Sequence, residues 1–224
     1  MKRFFLLILC WVYLGACAGT PTIIPLIPIE KTGKKVNCKI PFPQSRWQFV
    51  HTVRIDVGKN NASFFNGVID VDPLAGSVRC TLLTLEGLVL LDARLTDEPE
   101  VLKAVPPFDR QSLSTGILTD VGLIFLQPKG PIVETGRTEA GDSTCRYIDT
   151  HQGIVEVIVT PDRSWRIRKY DGNGRMIRRV VAGTSGRWES GDTLFIPDTF
   201  TLTAPGRNGY RLRFRLLSST QIDS

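Results

Sequence analysis

The sequence has 224 residues and a formal net charge of +6, with 42% hydrophobic and 22% charged side chains. This length suits one domain of generous size or two small ones. The chain has only two histidines and no CxxC pair, which argues against a zinc site. It also has no GxSxG motif and no phosphate-binding loop, so we expect neither an enzyme nor a cofactor-binding protein.

The first sixteen residues have the pattern of an export signal. Two basic residues open the chain, and an uncharged run over residues 4–13 has the length of a signal core and is too short to span a bilayer. The next four residues, Leu14-Gly15-Ala16-Cys17, resemble the lipobox of bacterial lipoproteins. The resemblance implies cleavage before Cys17 and a lipid on its thiol. Because Ala18 rather than aspartate follows, it also implies an anchor in the outer membrane, facing the periplasm. An ordinary signal peptide with a chance cysteine is the alternative.

Residues 17–45 contain five prolines among apolar residues, so we expect an extended segment. We interpret it as a tether that lifts the domain off the membrane and whose apolar part could also lie along the domain. Beyond Cys17 the mature chain has three cysteines, and an odd number allows at most one disulfide among them. The periplasm permits such a bond, but the sequence does not choose the pair among Cys38, Cys80 and Cys145.

From Trp47 the hydrophobic period changes to two. Apolar residues and His51 alternate with polar residues over 47–57, with Val50 as the exception, which predicts a strand buried on one side. Further strands are expected at 63–72, 77–85 and 88–95, separated by turn-forming residues. These are hairpin distances, so the segment predicts a meander of antiparallel strands.

Residues 109–126 break this period. Apolar residues at helical spacing form one stripe, which consists of Leu113, Ile117, Val121 and Ile124 and is widened by Leu118 and Phe125. Asp109 or Ser112 could cap the helix, whereas Gly116 and Gly122 weaken it. We therefore expect a short or broken helix.

Strands resume after the helix, at about residues 154–159, 165–177 and 199–203, with a hairpin turn at Asp171–Gly174. In the last strand Tyr210, Leu212, Phe214 and Leu216 share one face, and Arg211, Arg213 and Arg215 share the other. Residues 161–224 carry 12 basic and 6 acidic side chains, against 14 and 16 over residues 17–160. The arginine row is either a solvated face or a surface for anionic lipid. Nucleic acid is a poor candidate partner in the periplasm.

About ten short strands and one principal helix predict a mainly β (α+β) fold. An antiparallel sheet would curl into an incomplete barrel, and the helix would cover its mouth as a lid. The expected order is a signal peptide at 1–16, a lipidated N-terminus and tether at 17–45, and one half-barrel domain at 46–220.

Several segments of this domain together resemble the LolA/LolB-like lipoproteins. They are the opening strand at Trp47–Phe49, the segment Leu83–Asp92, the hairpin Asp171–Arg175, the strand Ile196–Leu202 and the last strand from Tyr210 to Phe214. The resemblance covers residues 45–217 and implies an apolar cavity that takes acyl chains. In LolB an exposed leucine on a protruding loop helps insertion of lipoproteins into the membrane. By loop order the corresponding residue is Leu74, although a leucine in a turn is more often a local contact.

The sequence therefore predicts a module that binds a lipid, an acyl chain or a lipoprotein cargo. The candidate lining residues are Trp47, Phe49, Val53, Phe200, Leu202, Leu212 and Phe214 on strands, and Leu113, Ile117, Val121 and Ile124 on the lid. The candidates for membrane contact are Leu74, Arg211, Arg213 and Arg215. For any one apolar residue, packing in a dry core is the simpler explanation. The alternative function is a non-catalytic scaffold of an envelope assembly or export system with a periplasmic protein partner.

The two histidines do not suggest catalysis. His51 lies on the apolar face of its strand, where we expect a buried histidine with satisfied hydrogen bonds rather than a general base. His151 follows a probable turn sequence and is expected to be solvated.

Overall fold

The structure is a computed structural model that describes residues 26–28, 38–39, 41–57, 61–149, 152–162, 164–189, 194–206 and 209–222. Cys17, the signal segment and His151 lie outside the described residues. The described part contains one helix and fifteen strands. The elements of the first half are β1 (Ile27–Pro28), β2 (Trp47–Val57), β3 (Asn61–Asp72), β4 (Ser77–Leu83), β5 (Val89–Leu95), β6 (Pro99–Ala104) and α1 (Gln111–Phe125). Those of the second half are β7 (Ile132–Arg137), β8 (Ser143–Ile148), β9 (Ile154–Val159), β10 (Trp165–Tyr170), β11 (Met176–Ala182), β12 (Gly186–Glu189), β13 (Leu194–Pro197), β14 (Thr199–Ala204) and β15 (Tyr210–Gln221).

Thirteen of the strands form one antiparallel sheet in the order β1-β7-β8-β9-β10-β11-β14-β15-β2-β3-β4-β5-β6. The last strand, β15, pairs with the first long strand, β2, and so joins the two halves of the chain. The edges β1 and β6 do not pair with each other, and β12 and β13 form a separate hairpin. The prediction of a mainly β fold with an incomplete, curled sheet and one covering helix is confirmed.

The alternation of side chains in β2 and β15 separates two faces of the sheet. Trp47, Phe49, His51 and Val53 are buried on the face that α1 covers, which we call the inner face. Leu212 and Phe214 of β15 lie opposite Ile55 and Val53 on the same face. The arginines of β15 point to the opposite, outer face and are exposed. This pattern follows the period of two expected for a half-buried strand.

Strands β8 and β9 are buried on both faces. Val155, Val157 and Val159 belong to the core of the inner face. On the outer face Arg146 and Glu156 are also buried, and Arg146 Nη2 lies 2.9 Å from Glu156 Oε1. A buried charge needs a partner, and these two side chains supply it to each other.

Helix α1 packs its buried residues on β4, β5 and β6. Its N-cap residue is Arg110 and no side chain caps the first turn, so the prediction of a cap at Asp109 or Ser112 was wrong. A Cβ added at Gly122 would lie 2.5 Å from Leu95 Cδ2. This glycine therefore allows close contact between α1 and β5, and the helix runs unbroken for 15 residues.

The segment before β2 belongs partly to the domain. β1 pairs with the edge strand β7, which agrees with the expectation that the apolar part of the tether could lie along the domain. Cys38 forms a disulfide with Cys145 of β8, with 6.1 Å between the Cα atoms, and Phe42 is buried. The packed domain therefore includes residues before position 46, where the sequence placed its start. Within the described residues, no helix has the length and hydropathy needed to cross a membrane.

Candidate functional site

The strand residues predicted to line a cavity all meet on the inner face. Each is less than 5% exposed, and together they belong to one hydrophobic core with the helix residues Ile117, Val121 and Ile124. Leu113, the first residue of the predicted stripe, is 37% exposed. Leu118 and Phe125, which were predicted to widen the stripe, are buried, and Ser114 is buried in addition.

Aromatic rings form the centre of this core. Phe200 of β14 stacks on Phe214 of β15 with 4.4 Å between the ring centroids. Phe49 of β2 stacks on Phe125 of α1 at 5.2 Å. His51 lies among these rings and meets Phe200 and Phe214 edge-on. The contact between Phe49 and Phe125 attaches the C-terminal end of the helix to the sheet.

Among the described residues, two small cavities lie between α1 and the sheet, each of about 20 Å³. We call them the His51 cavity and the Val121 cavity. The His51 cavity is lined by Pro41, Pro43, Phe49, His51, Ile124, Phe125, Trp165, Leu194, Phe195, Ile196, Pro197 and Phe200. The Val121 cavity is lined by Val53, Ile55, Gly67, Ile69, Cys80, Leu82, Ile117, Val121, Leu212 and Phe214. Such volumes hold a water-sized group and no hydrocarbon chain.

His51 is buried, as predicted, but one of its two ring nitrogens lacks the hydrogen-bond partner that was expected. In the described part of the chain no partner reaches His51 Nδ1, and the same is true of Trp165 Nε1. Burial lowers the pKa of His51 to about 3, so the imidazole is neutral at ordinary pH. Nothing in the sequence pattern indicated that these two side chains would line the same cavity.

A polar cluster attaches the middle of α1 to the opposite part of the sheet. Asp120 is 1% exposed and its Oδ1 lies 2.6 Å from Nε of Arg178 on β11. The hydroxyl of Tyr210 on β15 donates to Oδ2 of the same carboxylate. Burial raises the pKa of Asp120, although both partners oppose that rise. We call Asp120, Arg178 and Tyr210 the α1 latch, because these side chains connect the helix to β11 and β15.

A wider opening lies beside the C-terminal end of the helix. It has a volume of about 390 Å³, and its walls include Leu95 of β5, Leu123 and Leu126 at the helix end, Val155 of β9 and Lys169 of β10. This volume is within the range of small-molecule sites. The sequence did not indicate it, because the walls come from elements that are distant in the chain.

The predicted membrane-contact residues are all exposed, in two separate places. Leu74 is 86% exposed in the turn between β3 and β4. Arg211, Arg213 and Arg215 lie on the outer face of β15. Two arginines on neighbouring strands extend this row. Arg54 of β2 lies opposite Arg213 in the sheet. Arg179 of β11 lies opposite Thr203 of β14, which in turn lies opposite Arg211.

Among the described residues, no three histidine, cysteine or carboxylate side chains come together as a metal site. Burial raises the pKa of the Cys80 thiol to about 12, which makes it a poor nucleophile.

Comparison with solved structures finds the same architecture elsewhere. A LolA superfamily protein from Nitrosomonas europaea matches with a TM-score of 0.55 and 9% identity, over 84% of this chain and 90% of that one. A domain from Vibrio parahaemolyticus named as an outer membrane lipoprotein-sorting protein matches with a TM-score of 0.50 and 6% identity, over 82% of this chain and 88% of that one. No protein-family model and no curated protein sequence matches the chain. At these identities the likeness concerns the fold alone, and on it the chain has a LolA/LolB-like fold.

Proposed function

We propose that this protein is a lipid-anchored protein of the bacterial envelope that binds an acyl chain, or the acyl part of a lipidated cargo, between the inner face and α1. The observation that carries the proposal is the convergence of apolar side chains from β2, β14, β15 and α1 on one interior. An interior of this composition suits a hydrocarbon tail. It acts without catalysis.

Binding requires α1 to move, because the two cavities under it are water-sized. The helix is suited to move as a unit. It has no side-chain cap, no acidic residue in its first turn and no basic residue in its last turn, so its stability depends on packing. The α1 latch is the polar attachment that such a movement must break.

The opening of about 390 Å³ at the C-terminal end of α1 is the proposed entrance. It borders Leu123 and Leu126, next to the helix residues that cover the His51 cavity. A chain that enters there and displaces Ile124 and Phe125 reaches the inner face without crossing the sheet.

The proposed location on the periplasmic face of the outer membrane rests on the lipobox at Leu14–Cys17 and on Ala18. The name of the Vibrio parahaemolyticus protein, which refers to outer membrane lipoprotein sorting, agrees with an envelope location. Leu74 and the arginines of β15 are the proposed contacts with the membrane.

The test uses the chain from Cys17 onward, produced without its lipid. Native mass spectrometry of this protein should detect co-purified lipid, and a fluorescent fatty acyl ester should bind with saturation. Val121→Phe should reduce binding, because the larger ring fills the Val121 cavity. Leu113→Phe, the same new side chain at an exposed position of the same helix, is the matched control and should bind normally.

Absence of bound lipid together with absence of probe binding in the folded wild-type protein would reject the proposal. Capture of one stoichiometric protein partner under those conditions would favour the alternative, a non-catalytic scaffold in an envelope assembly or export system.

A further inference from the structure

The His51 cavity has an unusual wall. Ten of its twelve lining residues are prolines, aromatic hydrocarbons or aliphatic side chains, and the other two are His51 and Trp165. These two are only 1% and 2% exposed. Within the residues that the structure describes, His51 Nδ1 and Trp165 Nε1 have no hydrogen-bond partner. Several other buried side-chain atoms in the described part of the chain also lack a hydrogen-bond partner, but these two belong to residues that line one apolar cavity. Buried polar atoms are normally paired, so a ligand group in this cavity is a natural partner for them.

The two side chains come from distant parts of the sheet. His51 lies on β2 and Trp165 on β10, and the strands β11, β14 and β15 separate them in the sheet order. Only the curl of the sheet brings both to one cavity. Each has a hydrophobic role in the core as well, but a phenylalanine would fill either place without leaving a polar atom unpaired.

The chemistry of the pair selects an uncharged acceptor. The indole N–H donates only, and a neutral imidazole has one donor and one acceptor nitrogen. No cationic side chain lines the cavity to neutralise an anion. The groups in ring contact with His51 are Phe49, Phe125, Phe200 and Phe214, which carry no charge. A carbonyl oxygen has the right size for this volume and accepts up to two hydrogen bonds.

We infer that the His51 cavity is a subsite for the uncharged carbonyl group of an acyl ester or amide, which accepts a hydrogen bond from Trp165 Nε1 and contacts His51. The inference rests on the proposed function and specifies its ligand: an esterified or amidated acyl chain rather than a free fatty acid anion.

The hydrocarbon tail of such a ligand has a place beside the subsite. Phe200 lines the His51 cavity, Phe214 lines the Val121 cavity, and the two rings stack on each other. Helix α1 covers both cavities, with Ile124 and Phe125 over the first and Ile117 and Val121 over the second. Displacement of α1 joins them into one apolar groove with its polar atoms at one end.

The experiment compares three probes, methyl palmitate, the palmitate anion and hexadecane, by competition against the fluorescent acyl ester at pH 7.5. Methyl palmitate should bind more tightly than palmitate. Trp165→Phe should weaken the binding of methyl palmitate about fivefold, the range of one neutral hydrogen bond, and should change the binding of hexadecane less than twofold. Trp188→Phe, at a tryptophan that lines neither cavity, is the matched control.

The indole N–H signal of Trp165 in a ¹⁵N-resolved NMR spectrum provides a second measurement on the unmodified side chain. It should move downfield with methyl palmitate and stay in place with hexadecane. If methyl palmitate and hexadecane bind with the same affinity and the signal does not move, the cavity holds only water, and the subsite is rejected while the proposed function stands. If none of the three probes binds, the proposed function itself fails.

Discussion

Two buried polar clusters in this protein stand in contrast. On the outer face of β8 and β9, Arg146 is held by Glu156 and by Glu134, and Glu156 also accepts from Arg168. On the inner face, the His51 cavity contains two polar atoms without a partner. The first cluster is complete within the fold, so its role is to stabilise the second half of the sheet. The second leaves two polar atoms unpaired on residues that line an apolar cavity, and this combination makes it the candidate binding site.

The α1 latch is intermediate between these two clusters. Asp120 is fully buried and has two partners, but one of them, Arg178, keeps 26% of its side chain exposed. Breaking the α1 latch exposes charges that water can solvate at once, whereas breaking the Arg146–Glu156 pair leaves a charge in the interior. We therefore expect substitutions in the three clusters to have effects of different size, some on stability and some on the kinetics of binding.

The largest expected effect is at Glu156. Glu156→Gln leaves Arg146 buried with a weakened partner and should lower the free energy of unfolding by about 3 kcal/mol, measured by urea denaturation. Glu100→Gln removes an exposed partner of Arg94 and is the control, with an expected change below about 1 kcal/mol. Equal effects at the two positions would show that the cluster on the outer face does not have the structural role assigned to it.

The next effect depends on pH and on His51. Because its pKa falls from 6.5 to about 3 on folding, the unfolded chain binds a proton that the folded chain does not, and stability decreases as pH falls below 6.5. This difference contributes about 2 kcal/mol between pH 7.5 and pH 5. His51→Phe should remove that part of the pH dependence in denaturation curves recorded at both pH values. If the variant keeps the wild-type dependence of the unfolding free energy on pH, the imidazole of the folded wild-type protein is in contact with water.

A smaller effect on stability, and a larger one on kinetics, is expected at the α1 latch. Asp120→Asn keeps the size of the side chain but removes its charge, and should cost about 1 kcal/mol of stability. The same change should make uptake of the fluorescent acyl ester several times faster in stopped-flow measurements, because α1 is released more easily. Slower or unchanged uptake would mean that the movement of α1 does not limit binding.

The smallest effect on stability is expected on the outer face of β15. Replacement of all three arginines, Arg211, Arg213 and Arg215, by serine should change the free energy of unfolding by less than about 0.5 kcal/mol. Binding to vesicles that contain anionic phospholipid should weaken clearly, most of all at low salt, because screening is then weakest. Vesicle co-sedimentation measures this, and unchanged binding would make the arginines a solvated face.

Sequence patterns were informative where one face of a strand meets solvent. Strand β2 over residues 47–53 and strand β15 over residues 210–215 alternate between more and less buried side chains, and both were predicted with these faces. Strand β6 was missed because both of its faces are exposed, so it has no alternation. Strand β8 was missed for the opposite reason, since burial on both faces also removes the period of two.

For the helix, the spacing of apolar residues predicted the element correctly, but the buried stripe differs from the prediction at one position. Leu113 is exposed, whereas Ser114 is buried and donates from Oγ to the carbonyl oxygen of Gln111. Hydropathy favours leucine for the buried side, but the contact with β4–β6 decides which side of the first turn is covered.

The sequence by itself determined local features: the antiparallel strands β2 to β5, the single helix, the apolar and basic faces of β15, and the resemblance of Leu14–Cys17 to a lipobox. Only the tertiary structure decided which cysteines pair, that Asp120 meets Arg178 and Tyr210, and that His51 and Trp165 share a cavity. The physical reason is that periodicity depends on neighbours along the chain. These contacts depend instead on how strongly the sheet curls, which brings together residues from strands that are not adjacent.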